Sequence, residues 1–163
     1  MLLPECCQDV GLLRGAGPAL KGRLARLGIA TIGDLLLHVP RDYQDRRTCG
    51  SLSTAAAKEK ASVLVRVVST QWIGRGYPPI FKATVRDDSG EAALICFGRA
   101  FLSKVLLPGR RFWVFGSFQN RHGELACGNF ELEPYDPREE AKSFGRILAL
   151  YPATEGVTQR GLR

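Results

Sequence analysis

Five basic side chains stand where strands and turns would hold them clear of a core: Lys82, Arg86, Arg99, Lys104 and Arg121. Such positions suit contact with phosphate oxygens, and they equally suit a solvated surface charge. The 163-residue chain carries a formal net charge of +7, which favours an anionic partner. The excess is spread along the chain without a basic tail or block, so any nucleic-acid surface must be assembled by folding.

A second route to an anion lies near the start. Gly15-Ala16-Gly17-Pro18 precedes a helical stripe, and a glycine turn can bring backbone N–H groups at a helix N-terminus up to a phosphate. The same glycines could instead let two helices pack. Both readings stand.

Catalytic chemistry finds no support. There is no Gly-x-x-x-x-Gly-Lys-Ser/Thr phosphate loop, and the clusters Gly74-Arg75-Gly76 and Gly15-Ala16-Gly17 lack the lysine that such a loop needs. No paired-histidine metal motif or Gly-x-Ser-x-Gly elbow occurs, and Asp87-Asp88 falls in a turn, Asp87-Asp88-Ser89-Gly90, whose formation accounts for it. Cys6, Cys7, Cys49, Cys96 and Cys127 form no Cys-x-x-Cys pair and lie far from His38 and His122, so neither zinc nor a disulfide is expected. No apolar run approaches the ~18 residues of a membrane span, and the first residues lack the basic stretch of a signal peptide. A soluble, cytoplasmic protein is expected.

The elements that must position the basic residues come in two kinds. Leu20, Leu24 and Leu27 stripe one helix, which Gly28 stops; Thr31 is placed to cap a second, striped by Ile32, Leu35, Leu36 and Val39 and ended by Pro40. With its glycine turn this pair resembles a helix-hairpin-helix element. Beyond it the period changes to two. Strands are predicted over 62–70, 80–86 (Phe81, Ala83 and Val85 inward, Lys82, Thr84 and Arg86 outward), 92–97, 111–118 and 124–132. A short helix over 100–107 separates the third from the fourth, and Asn120-Arg121-His122-Gly123 makes the last hairpin tip. The expected fold is mainly β, a five-stranded OB barrel with a short helix between strands three and four, preceded by a small helical segment. The expected divisions are a helical segment at 1–50, a connector at 51–61, the barrel at 62–133 and an extended linker at 134–163.

Three blocks in order carry a family likeness. They are Leu27-Gly28-Ile29-x-Thr31-Ile32-x-Asp34-Leu35-Leu36-Leu37-His38-x-Pro40-Arg41-x-Tyr43-x-Asp45-Arg46, then Val85 to Gly116 with Phe97, Phe101 and Leu107-Pro108-Gly109-Arg110, and last Leu150-Tyr151-Pro152-x-Thr154-Glu155-Gly156-Val157-x-Gln159-x-x-Leu162-Arg163. The chain resembles the amino-terminal and wedge region of RecG-type ATP-dependent DNA helicases. Departures occur at Cys96-Phe97-Gly98 and at Gly128-Asn129-Phe130-Glu131.

The resemblance implies structure-specific binding to replication forks and Holliday junctions in DNA repair and recombination. The ATP and magnesium would belong to a motor that this sequence lacks; the chain itself needs no cofactor. It further implies a monomer, a possible partner in single-stranded-DNA-binding protein, and a chain that is part of a longer parent. It maps the family's two base-stacking aromatics onto Phe97 and Phe101. The residues agree in part: Phe97 ends the third predicted strand and Phe101 begins the helix, so both can reach the rim of a barrel. The alternative is that both rings are core. A general single-strand-binding module and a protein-interaction domain are the competing functions.

Overall fold

Helix α1 (Pro18–Ala25) starts at Gly17, with Pro18 in the first turn, where a missing N–H costs nothing. In the computed structural model, which describes residues 4–74, 78–121 and 123–162, two units are distinguished: Met1–Gln44 with Leu148–Arg163, and Asp45–Ile147.

In the first unit, helix α2 (Ile32–Leu36) opens with a capping box. Thr31 Oγ1 accepts from Asp34 N at 3.1 Å, and Asp34 Oδ2 accepts from Thr31 N at 2.8 Å and from Ala30 N at 3.0 Å. Val10, Leu24, Ile29 and Val157 are buried together, with Leu20, Leu27, Leu35 and Leu162 packed against them. The expected α2 stripe is only partly realised. Leu36 and Val39 are exposed, because the helix has ended by Leu37 and one turn cannot aim both Leu35 and Leu36 at the same core. Strand β1 (Asp42–Asp45) follows.

Residues 134–163 are not an extended linker throughout. Val157 joins the helical core, Gln159 Oε1 accepts from Tyr151 N at 2.9 Å, and Gln159 Nε2 donates to Tyr151 O at 2.7 Å, which folds the segment back on itself. His38 Nε2 donates to Pro152 O at 3.0 Å and the imidazole stacks on Tyr151, so two of the family-like blocks meet here. Helix α4 (Gln159–Leu162) closes this segment.

The second unit is mainly β. Its strands are β2 (Cys49–Gly50), β3 (Ala61–Ile73), β4 (Ile80–Asp87), β5 (Gly90–Phe97), β6 (Arg111–Gly116), β7 (Gln119–Arg121), β8 (Glu124–Cys127) and β9 (Phe130–Pro134). They hydrogen-bond in the order β7-β8-β5-β4-β3-β6-β9, with β2 parallel to β3. The alternation predicted for β4 holds: Phe81, Ala83 and Val85 are buried between exposed or half-buried neighbours. A 3-10 turn over Ala100–Lys104 replaces the expected helix over 100–107. β10 (Ile147–Leu150) pairs with β1 in a separate two-stranded ribbon.

Three further expectations change. The hydrogen-bonded path is open, with ends at β7 and β9, rather than a closed five-stranded ring. The fifth strand is two, β8 parallel to β5 and β9 antiparallel to β6, with Gly128-Asn129 leaving the ladder between them. The connector at 51–61 contains helix α3 (Leu52–Ala55), whose Leu52 and Ala55 are core residues. The carboxylate of Asp87 anchors the start of that helix beside the Ser51–Thr54 capping box. Its Oδ2 accepts from Leu52 N at 2.7 Å, while its Oδ1 accepts from Ser89 N at 2.7 Å and Gly90 N at 3.0 Å, so one side chain caps α3 and closes the β4–β5 turn. Burial alone would raise the Asp87 carboxyl, but the bonds from Ser89, Leu52 and Gly90 outweigh it and hold it below the ordinary carboxylate range. His122 and the Arg75-Gly76 pair lie outside the described residues.

Candidate nucleic-acid interface

Phe97 and Phe101 are both unburied, at 56% and 63% exposure, so neither ring is core. Local folding forces this. Cys96 points into the core and the strand alternates, leaving Phe97 on the other face; Gly98, at φ +62°, then turns the chain sharply into the 3-10 turn. That turn buries Leu102 and so projects Phe101 outward. The two departures from the family pattern adjoin here, since a Cβ on Gly128 would lie 3.9 Å from Phe97 Cε2.

The five basic candidates fare differently. Lys82, only 16% exposed in its side chain, places Nζ 2.7 Å from both carboxylate oxygens of Glu124, and Arg86 is paired with Glu91. Arg99 donates to Phe130 O at 3.2 Å and lies 4.5 Å over the Phe130 ring, half-buried beside the turn it flanks. Arg121 is held by Gln119 at 3.2 Å, and Lys104 is exposed without an ion pair among the described residues. Lys104 and Arg121 thus remain open to phosphate, while Lys82 and Arg86 would first have to leave a carboxylate.

Register adds two arginines that the sequence reading missed. Arg66 of β3 lies directly opposite Arg86 of β4 and Arg111 of β6, so three arginines form a row across three strands. All three are exposed and line one groove of about 880 Å³. Arg66 has no ion pair among the described residues, and Arg111 is held 4.4 Å over the Tyr135 ring. Directly opposed like charges oppose sheet formation. No local pattern announces such a row, because its members are 20 and 45 positions from Arg66.

Burial pushes the Cys96 and Cys127 thiols up to about 11, which makes them packing groups rather than nucleophiles. Among the described residues no group of three or more His, Cys, Asp or Glu side chains gathers as a metal site, and no helix is long and apolar enough to cross a membrane.

Exposed rings at a strand end and arginines across an open sheet face place the chain among mainly β domains that present aromatic and basic groups together. It belongs to the RecG wedge domain family, whose sequence profile it matches over residues 9–163. The ATP-dependent DNA helicase RecG of Treponema pallidum is 35% identical over 100% of this chain and 23% of its own length; that of Thermotoga maritima is 31% identical over 95% and 20%. A solved structure of RecG bound to a three-way DNA junction superposes with a TM-score of 0.84 at 30% identity, covering 96% of this chain and 22% of that one. The chain therefore spans less than a quarter of the length of these relatives.

Proposed function

We propose that this chain is the junction-recognising wedge of a RecG-type ATP-dependent DNA helicase. It holds replication forks and Holliday junctions and parts their strands by aromatic stacking while a motor elsewhere in a longer protein pulls the duplex. The observation that carries this reading is the exposure of Phe97, which ends β5, and of Phe101, four positions on in the 3-10 turn. A duplex step is worth about 1.4 kcal/mol. A ring stacked on a base contributes roughly 1–3 kcal/mol. One ring can offset one broken step, but each further step costs again, so the wedge needs a motor. ATP and magnesium serve that motor in the cytoplasm. No phosphate loop for them occurs in the sequence of this chain.

We read the β unit as an OB barrel with a broken fifth strand. Supporting this, β8 borders β5 and β9 borders β6 with only Gly128-Asn129 between them, so the covalent chain links β9, one end of the path, to β8, the strand next to the other end. Arg66, Arg111, Lys104 and Arg121 are the phosphate contacts in this reading, and residues 134–163 lead toward the motor.

The test is binding of the chain to a three-way junction and to a linear duplex of equal length, with and without Phe97→Ala. The unaltered chain should prefer the junction, and Phe97→Ala should reduce that preference by roughly 5- to 150-fold, the equivalent of one stacked base. Equal affinity of the unaltered chain for both DNAs would sink the reading.

A further inference from the structure

The lip that carries Phe97 has two faces. Ile73, Ile80 and Phe97 are directly paired across β3, β4 and β5, and directly opposed residues share a face, so these three form one row. One position along, Trp72, Phe81 and Cys96 form the next row, on the opposite face. Phe81 and Cys96 are core, but Trp72 is 53% exposed. Its ring stands 5.2 Å from that of Phe81 at 57°, so the core fixes the indole from one side and leaves the rest to solvent. β3 and β5 are two strand spacings apart, about 9.5 Å.

We propose that Trp72 is a further base-stacking platform beside Phe97 and Phe101, taking an unpaired nucleobase of the strand opposite to the one that Phe97 caps. The proposal rests on the reading of the chain as a junction wedge and extends it. The buried half of the indole packs on Phe81, and the exposed half leaves a pre-oriented flat ring able to stack on any base. With Phe97 on one face and Trp72 at the exposed end of the other, the end of the ladder stands between the two parted strands. Neither needs sequence-specific contacts, because every base presents a π-face.

The chain has two tryptophans, so Trp113→Phe leaves Trp72 as the sole indole. That variant is titrated with a dye-labelled three-way junction bearing a single-stranded arm, and DNA anisotropy and tryptophan emission are read in one sample. Binding should quench Trp72 emission with the junction and leave it unchanged with a fully paired linear duplex, and the quench should persist when Phe97→Ala is added. With Trp113 restored, Trp72→Ala should weaken junction binding about 5- to 150-fold relative to duplex. Binding seen by anisotropy with unaltered emission, or equal quenching by duplex, overturns the platform and leaves the junction wedge standing. No anisotropy change with any DNA overturns the wedge reading and the platform together.

Discussion

Phe97 lies against Gly128, with 3.9 Å between Phe97 Cε2 and the place a Cβ on Gly128 would occupy. The ring thus borders the space left by a glycine thirty-one positions away, and more than half of the residue faces solvent. For a ring so exposed, no covering group must be moved aside before a flat partner can stack on it.

That geometry separates two glycines of similar sequence context. Gly128→Ala adds a methyl at ordinary contact distance and should leave stability within about 0.5 kcal/mol. Gly116→Ala places its Cβ 2.6 Å from Cys127 Sγ and 2.7 Å from Asn129 O, forcing β6 from the segment that joins β8 to β9. It should cost roughly 1–3 kcal/mol, as overpacking does. Urea midpoints of the two variants measure the contrast.

Asp87 ties stability to acid. Because its folded carboxyl is held below the ordinary value of 3.8, its contribution is full above that value and is lost as pH falls through the lowered folded value. Asp87→Asn presents an amide donor or a neutral oxygen to Leu52 N. It should cost about 0.5–2 kcal/mol at pH 7, the range for a lost helix cap. Thermal melts from pH 7 to pH 3 should show the gap between the two chains narrowing toward the acid end.

Arg46 is structural. Its guanidinium, wholly buried, lies 4.0 Å from the Phe115 ring centroid and 5.5 Å from that of Phe144, with Glu131 at 2.9 Å. Arg46→Ala should destabilise by roughly 2–5 kcal/mol, as truncating a large buried side chain does. Arg46→Met, which keeps an apolar stem between the rings, should recover part of that loss in chemical denaturation.

Arg66→Gln relieves two like-charge oppositions, so it should leave the melting temperature equal or higher. If the row meets duplex phosphates, the slope of log K against log salt should fall by about 0.9 for the one charge removed. An unchanged slope would take Arg66 out of the interface.

The sequence by itself determined the change of period from helix to strand, the alternation of β4, the Thr31 cap and the family blocks, because each is written in residues close together along the chain. Folding decided what the blocks pack against: His38 of the first meets Tyr151 of the last, and Gly156 O of the last accepts from Arg23, 133 positions away. It also decided which candidate charges stay available, since Lys82 acquires Glu124 and Arg66 acquires two arginine neighbours only through strand register. Periodicity says which face a side chain takes. It cannot say which distant side chain will share that face, and for Phe97, Phe101 and Trp72 that is what leaves a ring open to solvent or seals it in.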